Sequence, residues 1–312
     1  MSDGDSDSLD ATASEPCSPA PQPRRLVYFG TPALSVAPLV ALHEAGFEIE
    51  LVVSAEDKRR GRGATMMPSP VKRAALDLGL AVTAASDDVL ATSAEAAVVV
   101  AYGRLIKPHL LARMPMVNLH VSLLPRWRGA APIERAILAG DERTGVCVME
   151  VAEALDSGGV YAVAETDVDH KTCEELRREL VGRGTELLID VLHRGLGSPE
   201  PQRGEVTYAS KIDPRERRLD WTLPAVQLDR VVRIGGAWTT FRGRRLKVIE
   251  ALDVDVGPLE ALPPVGGIVG ESIGTSHRML RLVTVQPEGK APMPVRDWLN
   301  GTRPTTEDRL GT

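Results

Sequence analysis

Asn118 and His120 are the two residues whose types and spacing best fit a chemical role. They lie two positions apart in the stretch NLHVSLLPRWRGAAP (118–132), so in a β-strand their side chains would point to the same face. An amide N–H can stabilise negative charge developing on an oxygen, and an imidazole can donate or relay a proton near neutral pH. The pair therefore predicts one wall of a catalytic pocket, although such residues at a strand end are also common as structural polar groups.

The segments around this pair predict a strand that ends in a loop. The preceding segment AAVVVAYG (96–103) is continuously apolar, which is typical of a strand buried on both faces of a parallel sheet. Pro125 and Gly129 then interrupt regular structure. The pair would therefore lie where a strand gives way to a loop, which is where open α/β sheets carry their active sites.

Two strings resemble the signatures of the folate-dependent formyltransferases. The first is N-x-H-x-S-L-L-P followed by W-R-G-A-A-P, and the latter part is most similar to the members that formylate methionyl-tRNA. The second is D-S-G, beginning at Asp156 after the apolar segment GVCVMEVAE (145–153). An aspartate before Ser-Gly-Gly is by itself usually a turn former, but the resemblance implies that it faces Asn118 and His120. The resemblance covers nearly everything from Arg25 to the C-terminus.

The resemblance implies transfer of the formyl group of 10-formyltetrahydrofolate to the amino group of methionyl-initiator tRNA. The amine would attack the formyl carbon directly, a tetrahedral oxyanion would form, and the folate N10 would leave. Asn118 would donate to the oxyanion, and His120 would donate to it or relay protons. Asp156 would orient His120 and accept the amine proton through water. The resemblance implies no covalent intermediate and no metal.

The resemblance also assigns a folate cleft to the S-L-L-P segment and to the turn that ends the strand before it. The implied folate-binding residues are Tyr102, Gly103, Ser122, Leu123, Leu124 and Pro125. From its spacing alone, Tyr102 fits a packing residue equally well.

Two basic segments are expected to contact tRNA. KRRGRG (58–63) alone would be a solvated surface loop, but the family's corresponding loop inserts into the acceptor stem of the tRNA. RGRRLK (242–247) predicts a hairpin-like basic patch. Guanidinium groups on such segments suit phosphate contacts. The expected tRNA-binding residues are Lys58, Arg59, Arg60, Arg62, Arg242, Arg244, Arg245 and Lys247.

Composition is compatible with these expectations. The 312 residues suffice for two domains, and the 43% hydrophobic and 26% charged content is typical of a globular protein. The three cysteines are scattered, which predicts neither disulfides nor a zinc site. The sequence shows no signal peptide and no apolar run long enough to span a membrane, so a cytoplasmic protein is expected. A monomer is expected, although no sequence pattern specifies it. The net charge of −6 includes five acids within residues 1–23, which leaves about −1 for the rest, so overall charge does not exclude an RNA partner.

Three regions are predicted. Residues 1–23, rich in Ser, Asp, Ala and Pro, are expected to be a disordered tail. Residues 24–205 begin with strand–helix–strand, which predicts an α/β, Rossmann-like, mostly parallel sheet; the G-x-G-x-x-G pattern of dinucleotide binding is missing. Residues 206–312 contain short apolar segments separated by Gly and Pro, which predict a small barrel similar to the family's OB-like tRNA-binding domain.

Cap residues predict helix boundaries. Ser35 is expected to cap the first helix, and Ser69 followed by Pro70 marks the start of the second. Thr172 and Glu175 form the pattern of a capping box.

Alternative functions share parts of this pattern. Formyltransferases that act on a sugar nucleotide or glycinamide ribonucleotide also carry N-x-H-x-S-L-L-P, and a hydrolase would deliver the formyl group to water. A non-catalytic tRNA-binding protein would not need Asn118, His120 and Asp156. One departure from the family is the direct connection VVRIGGAWT (231–239), which replaces a longer, proline-containing loop and affects the predicted junction between the domains.

Overall fold

The structure is a computed structural model that describes residues 22–60, 65–254 and 263–312. Arg62 and nearly all of the predicted tail lie outside the described residues, as does the side chain of Arg60. None of the helices in the described ranges is long and apolar enough to cross a membrane.

The N-terminal region alternates strands and helices. Its strands are β1 (Arg25–Gly30), β2 (Glu48–Val53), β3 (Lys58–Arg60), β4 (Thr65–Met67), β5 (Val82–Thr83), β6 (Ala96–Val100), β7 (Met116–His120), β8 (Arg128–Gly129), β9 (Arg143–Glu150), β10 (Val160–Asp167) and β11 (Tyr208–Ala209). Its helices are α1 (Val36–Glu44), α2 (Pro70–Asp77), α3 (Pro108–Leu111), α4 (Pro132–Ala139) and α5 (Cys173–Arg194).

Seven of these strands form one sheet, in the order β10-β9-β7-β6-β1-β2-β5. The strands from β7 to β5 are parallel, whereas β9 runs antiparallel to β7 and β10 antiparallel to β9. Helices α1, α2, α4 and α5 cover one face, and α3 with a 3-10 segment (Ser86–Ala91) covers part of the other. The prediction of a mostly parallel α/β sheet is confirmed.

Strand β7 divides its side chains between the two faces of the sheet. Val117 and Leu119 pack in the core on the α5 side, and Met116 packs in the core on the opposite side. Because side chains alternate along a strand, Asn118 and His120 share the face opposite α5. The predicted common face is therefore confirmed.

Two of the three predicted caps are confirmed. The Ser69 hydroxyl accepts from the Lys72 N–H at 3.0 Å, and Thr172 forms the capping box with Glu175. The prediction for Ser35 was wrong. A 3-10 turn leads directly into α1, so Ser35 already has helical backbone angles, and its hydroxyl instead donates to the Val100 carbonyl at 2.7 Å.

The C-terminal region is an antiparallel barrel. Its strands are β12 (Trp238–Phe241), β13 (Arg244–Val254), β14 (Ile268–Val269), β15 (Ser272–Gly274), β16 (Met279–Pro287) and β17 (Met293–Pro294), and its helices are α6 (Ala225–Arg233) and α7 (Val295–Thr302). The sheet order is β12-β13-β16-β15-β14, with β17 beside β16. Leu310 bridges to Phe241 at one edge and Arg309 to Gly267 near the other, so the last residues close the sheet. This arrangement confirms the predicted small barrel.

Helix α7 was not predicted. Its buried residues are Val295 and Trp298, so only two positions mark its inner face, which is too few for a periodic signal.

The short connection from α6 into the barrel contains two glycines with a left-handed backbone conformation. Gly235 and Gly236 have φ of +81° and +74° and turn the chain from α6 into β12. At the end of α6, the Arg233 guanidinium donates to the carbonyls of Lys171 and Val168 at 2.9 and 3.4 Å. Helix α6 therefore fixes the barrel against the sheet domain without the longer loop.

Candidate active site

His120 lies at the carboxyl end of β7 and is 6% exposed. Its Nε2 is 3.0 Å from the Trp127 carbonyl oxygen. Because a carbonyl can only accept, Nε2 carries the hydrogen in this contact. Nδ1 is therefore the ring nitrogen that is free to take up and release a proton.

Asp156 faces that nitrogen from the loop 151–159, which joins β9 to β10. Its Oδ2 lies 3.7 Å from His120 Nδ1 and accepts the Gly129 N–H at 2.8 Å. The residue has a left-handed backbone, with φ of +47°. A distance of 3.7 Å is too long for a direct hydrogen bond but suits an ion pair with a protonated imidazole.

Asn118 completes the group. It is half-buried on the same face of β7 as His120. Across the described part of the chain, its side-chain amide makes no hydrogen bond with protein. Its donors are therefore available to a substrate oxygen.

The loop after β7 aims the Trp127 carbonyl at His120. Trp127 has φ of +65°, its N–H donates to the Thr207 hydroxyl at 2.9 Å, and its indole N–H donates to the Asp141 carboxylate at 2.7 Å. The Ser122 hydroxyl donates to the Arg126 carbonyl at 2.7 Å. These contacts hold the loop in one conformation, so the orientation of the imidazole is also held.

Four of the six predicted folate-binding residues lie in this loop and the other two follow β6, and they differ in how much surface they offer. Ser122 and Pro125 are buried, whereas Leu123 and Leu124 are half-buried and keep accessible apolar surface. Tyr102 is 6% exposed, and its ring packs edge-on against Phe29 at 5.1 Å. Gly103, with φ of +76°, forms the turn that follows.

Sequence reasoning missed Gln202 and Thr207, which both contact the site. They lie 74 and 80 positions from their partners Arg128 and Trp127. No motif or local period connects residues at such separations, so only the fold reveals them.

Cys147 lies beneath the site, opposite His120 in β9. Its thiol donates to the Ser122 carbonyl at 3.1 Å, and burial raises its pKa to about 11. Burial likewise raises the pKa of Cys173 to about 12, with a smaller contribution from Glu134.

We therefore expect neither thiol to react with iodoacetamide at pH 8 while the protein is folded, because the reactive thiolate is scarce and shielded. The measurement is mass spectrometry of a Cys17→Ser variant before and after unfolding in guanidinium. Both thiols should be modified only after unfolding. Rapid modification of the folded protein would contradict the burial and the raised pKa.

The described part of the first basic segment, Lys58–Arg60, forms strand β3 rather than an irregular loop. Lys58 pairs with Met67 and Arg59 with Met66, so β3 and β4 are antiparallel. An ion pair of 2.8 Å between Lys72 and Asp57 anchors the chain directly before β3. Lys58 and Arg59 are exposed.

The second basic segment is the predicted hairpin of β12 and β13. Arg242 in its turn donates to both carboxylate oxygens of Asp308, at 2.9 and 2.7 Å. Arg245 stacks over Trp238, with 4.4 Å from its guanidinium carbon to the ring centre. Arg244 and Lys247 are exposed. The charge of Arg242 is therefore already paired, whereas those of Arg245 and Lys247 are more available.

Comparison with known proteins agrees with the fold and shows the family. A family model described as "Formyl transferase" matches residues 24–192, and one described as "Formyl transferase, C-terminal domain" matches residues 211–303. The chain belongs to the formyl transferase family.

A methionyl-tRNA formyltransferase of Thermobifida fusca is 39% identical over 315 residues, covering 92% of this chain and 99% of its own length. One of Ruegeria pomeroyi is 42% identical over 297 residues, covering 89% and 97%. Within the family, the chain belongs with the methionyl-tRNA formyltransferases.

A solved structure shares the fold at low identity. It is an N-formyltransferase of Helicobacter canadensis in complex with folinic acid and dTDP-3-aminofucose, with a TM-score of 0.63 and 13% identity, and the match covers 83% of this chain and 98% of that one.

Proposed function

We propose that the protein transfers the formyl group of 10-formyltetrahydrofolate to the amino group of methionyl-initiator tRNA, and so supports translation initiation. The observation that carries this proposal is the convergence of Asn118, His120 and Asp156 at the carboxyl end of β7. The named relatives of similar length support the choice of acceptor.

Asn118 is proposed to stabilise the oxyanion. When the amine attacks the formyl carbon, the carbonyl oxygen gains negative charge, and a free amide donor at that position lowers the barrier. Donors of this kind contribute about 3 to 4 kcal/mol in other enzymes. The absence of a competing partner for Asn118 among the described residues supports this assignment.

His120 and Asp156 are proposed to carry the proton. The attacking amine must lose a proton and the folate N10 must gain one before it leaves. A proton passing through water to the pair can reside on His120 Nδ1, where the Asp156 carboxylate at 3.7 Å stabilises the imidazolium. Returning it to N10 breaks the C–N10 bond and regenerates the starting state, so no covalent enzyme intermediate is needed.

The folate is proposed to lie along the loop after β7, beside the apolar surface of Leu123 and Leu124. Ser122 and Pro125 would shape this cleft from below. Tyr102 and Gly103 would bound its far side, with Tyr102 acting through its packing against Phe29.

The tRNA is proposed to contact both domains. Lys58, Arg59, Arg60 and Arg62 would reach the acceptor stem, and the β12–β13 hairpin would contact the backbone through Arg242, Arg244, Arg245 and Lys247. Because this acceptor is a substrate of translation, we place the enzyme in the cytoplasm, acting as a monomer.

Arg245→Ala and Lys247→Ala are each expected to raise the KM for tRNA and to reduce the slope of log KM against log salt concentration by about 1, because each removes one phosphate contact. Arg242→Ala should change KM less, because Asp308 already pairs its charge. Steady-state rates at several salt concentrations measure this, with Arg178→Ala on α5, which is exposed, as control. An unchanged salt slope in both variants would argue against this contact surface.

The direct test is an assay with 10-formyltetrahydrofolate and methionyl-initiator tRNA. Formylmethionyl-tRNA should form only when both substrates are present. Tetrahydrofolate released without tRNA would indicate a hydrolase instead, and absence of both products would redirect the search to sugar-nucleotide or glycinamide ribonucleotide acceptors.

A further inference from the structure

The segment that joins the two domains, residues 195–211, passes directly over the active-site loops. We call it the interdomain linker. Its Glu200 exchanges two backbone hydrogen bonds with Val160, at 2.8 and 3.0 Å. Further along, β11 pairs in parallel with β8, and the Thr207 carbonyl accepts the Arg128 N–H at 2.9 Å. The linker is therefore bonded to the loop after β7 and to the first residue of β10, which directly follows the loop of Asp156.

Gln202 is the linker residue that reaches the loop of Asp156. Its side-chain N–H₂ donates to the backbone carbonyls of Asp156 and Gly158, at 2.8 Å each. Its carbonyl oxygen accepts from the Arg128 guanidinium at 3.1 and 2.6 Å. Because carbonyls only accept and a guanidinium only donates, these partners allow one orientation of the Gln202 amide.

The Gln202 hydrogen bonds are made to a strained part of the backbone, the turn at Asp156. Asp156 has φ of +47°, a conformation that costs energy for any residue with a Cβ. The side-chain NH₂ of Gln202 donates to two carbonyls of this turn, and one of these carbonyls belongs to Asp156 itself. The conformation of this turn places the Asp156 carboxylate where it accepts the Gly129 N–H and lies 3.7 Å from His120 Nδ1.

We infer that Gln202 is a positioning residue, which holds the left-handed turn of Asp156 so that its carboxylate faces His120. Through Gln202 the interdomain linker is part of the catalytic site as well as a connection to the barrel. Both ends of the Gln202 amide are bonded to protein groups, so its removal should affect turnover and leave substrate affinity alone. The inference rests on the proposed function, since it assumes that Asp156 serves formyl transfer.

Gln202→Glu is the informative substitution. Glutamate has the same shape and still accepts from Arg128, but it cannot donate, so an oxygen would face the two turn carbonyls. Gln202→Met, which removes all these bonds and keeps similar length, serves if the glutamate variant does not fold. Gln227→Glu on α6, an exposed residue outside the linker, is the control.

We expect Gln202→Glu to lower kcat by about tenfold or more while each KM changes less than about twofold. In an Asp156→Asn background the same substitution should lower kcat less than about twofold, because residues that act through one group are not additive. The control should change neither quantity. Equal losses in both backgrounds would overturn the inference, since they would mean that Gln202 acts independently of Asp156.

Hydrogen exchange separates this inference from the proposed function. Without the Gln202 donors, amides of residues 151–159 should exchange about tenfold faster or more, and that of Gly129 should also exchange faster. Unchanged exchange would overturn the inference even if formyl transfer is confirmed. If the wild-type protein formed no formylmethionyl-tRNA, the proposed function would fail, and the exchange data would still decide whether Gln202 holds the turn.

Discussion

Asp156→Asn is expected to lower kcat for formyl transfer by about a thousandfold, within the range that positioned acid–base groups contribute. Asparagine keeps the size of the side chain and can still accept the Gly129 N–H, which Asp156 Oδ2 accepts at 2.8 Å. It cannot balance the charge of a protonated His120 or take up a proton itself. The loss should therefore fall on turnover, with the affinity for tRNA nearly unchanged.

Single-turnover rates and a tRNA-binding titration measure these two quantities separately. Asp169→Asn is a matched control, because Asp169 is also left-handed, with φ of +42°, but is exposed beyond the end of β10. It should behave like the wild-type protein. Near-normal turnover in Asp156→Asn that still binds tRNA would remove Asp156 from the mechanism.

Asn118→Ala is expected to lower kcat by about a hundred- to a thousandfold, the loss typical when an oxyanion donor is removed. Folding stability should change little. Asn118 is half-buried, and its amide has no protein partner among the described residues, so truncation breaks no hydrogen bond and leaves no partner unsatisfied.

Rates and thermal unfolding of the same preparation test this prediction. Asn300→Ala in α7, where the side chain is exposed, controls for the substitution itself. A large fall in melting temperature with a matching loss of active protein would assign Asn118 a structural role. Full activity would show that another group stabilises the oxyanion.

The local pattern of the sequence was enough to predict strand β7 and its two faces. The apolar segment 96–103 before this stretch favours a buried sheet, and a strand period of two then places Asn118 and His120 on one face. The parallel sheet, the capping box of Thr172 and the C-terminal barrel followed from equally local signals. The roles of Asp156 and the basic segments came from the resemblance to a family, because an aspartate before glycines is in itself an ordinary turn former.

Only the tertiary structure decided how these residues are held. The Trp127 carbonyl fixes which nitrogen of His120 can exchange a proton, and Trp127 is itself held by Thr207. Gln202 supports the turn of Asp156 across 46 positions of sequence. Such contacts depend on where two distant chain segments meet, and neither segment carries a period or motif that specifies the other. The sequence, with its resemblance to a family, indicated which groups we propose for the chemistry, and the packing of the linker across the loops determines how those groups are held.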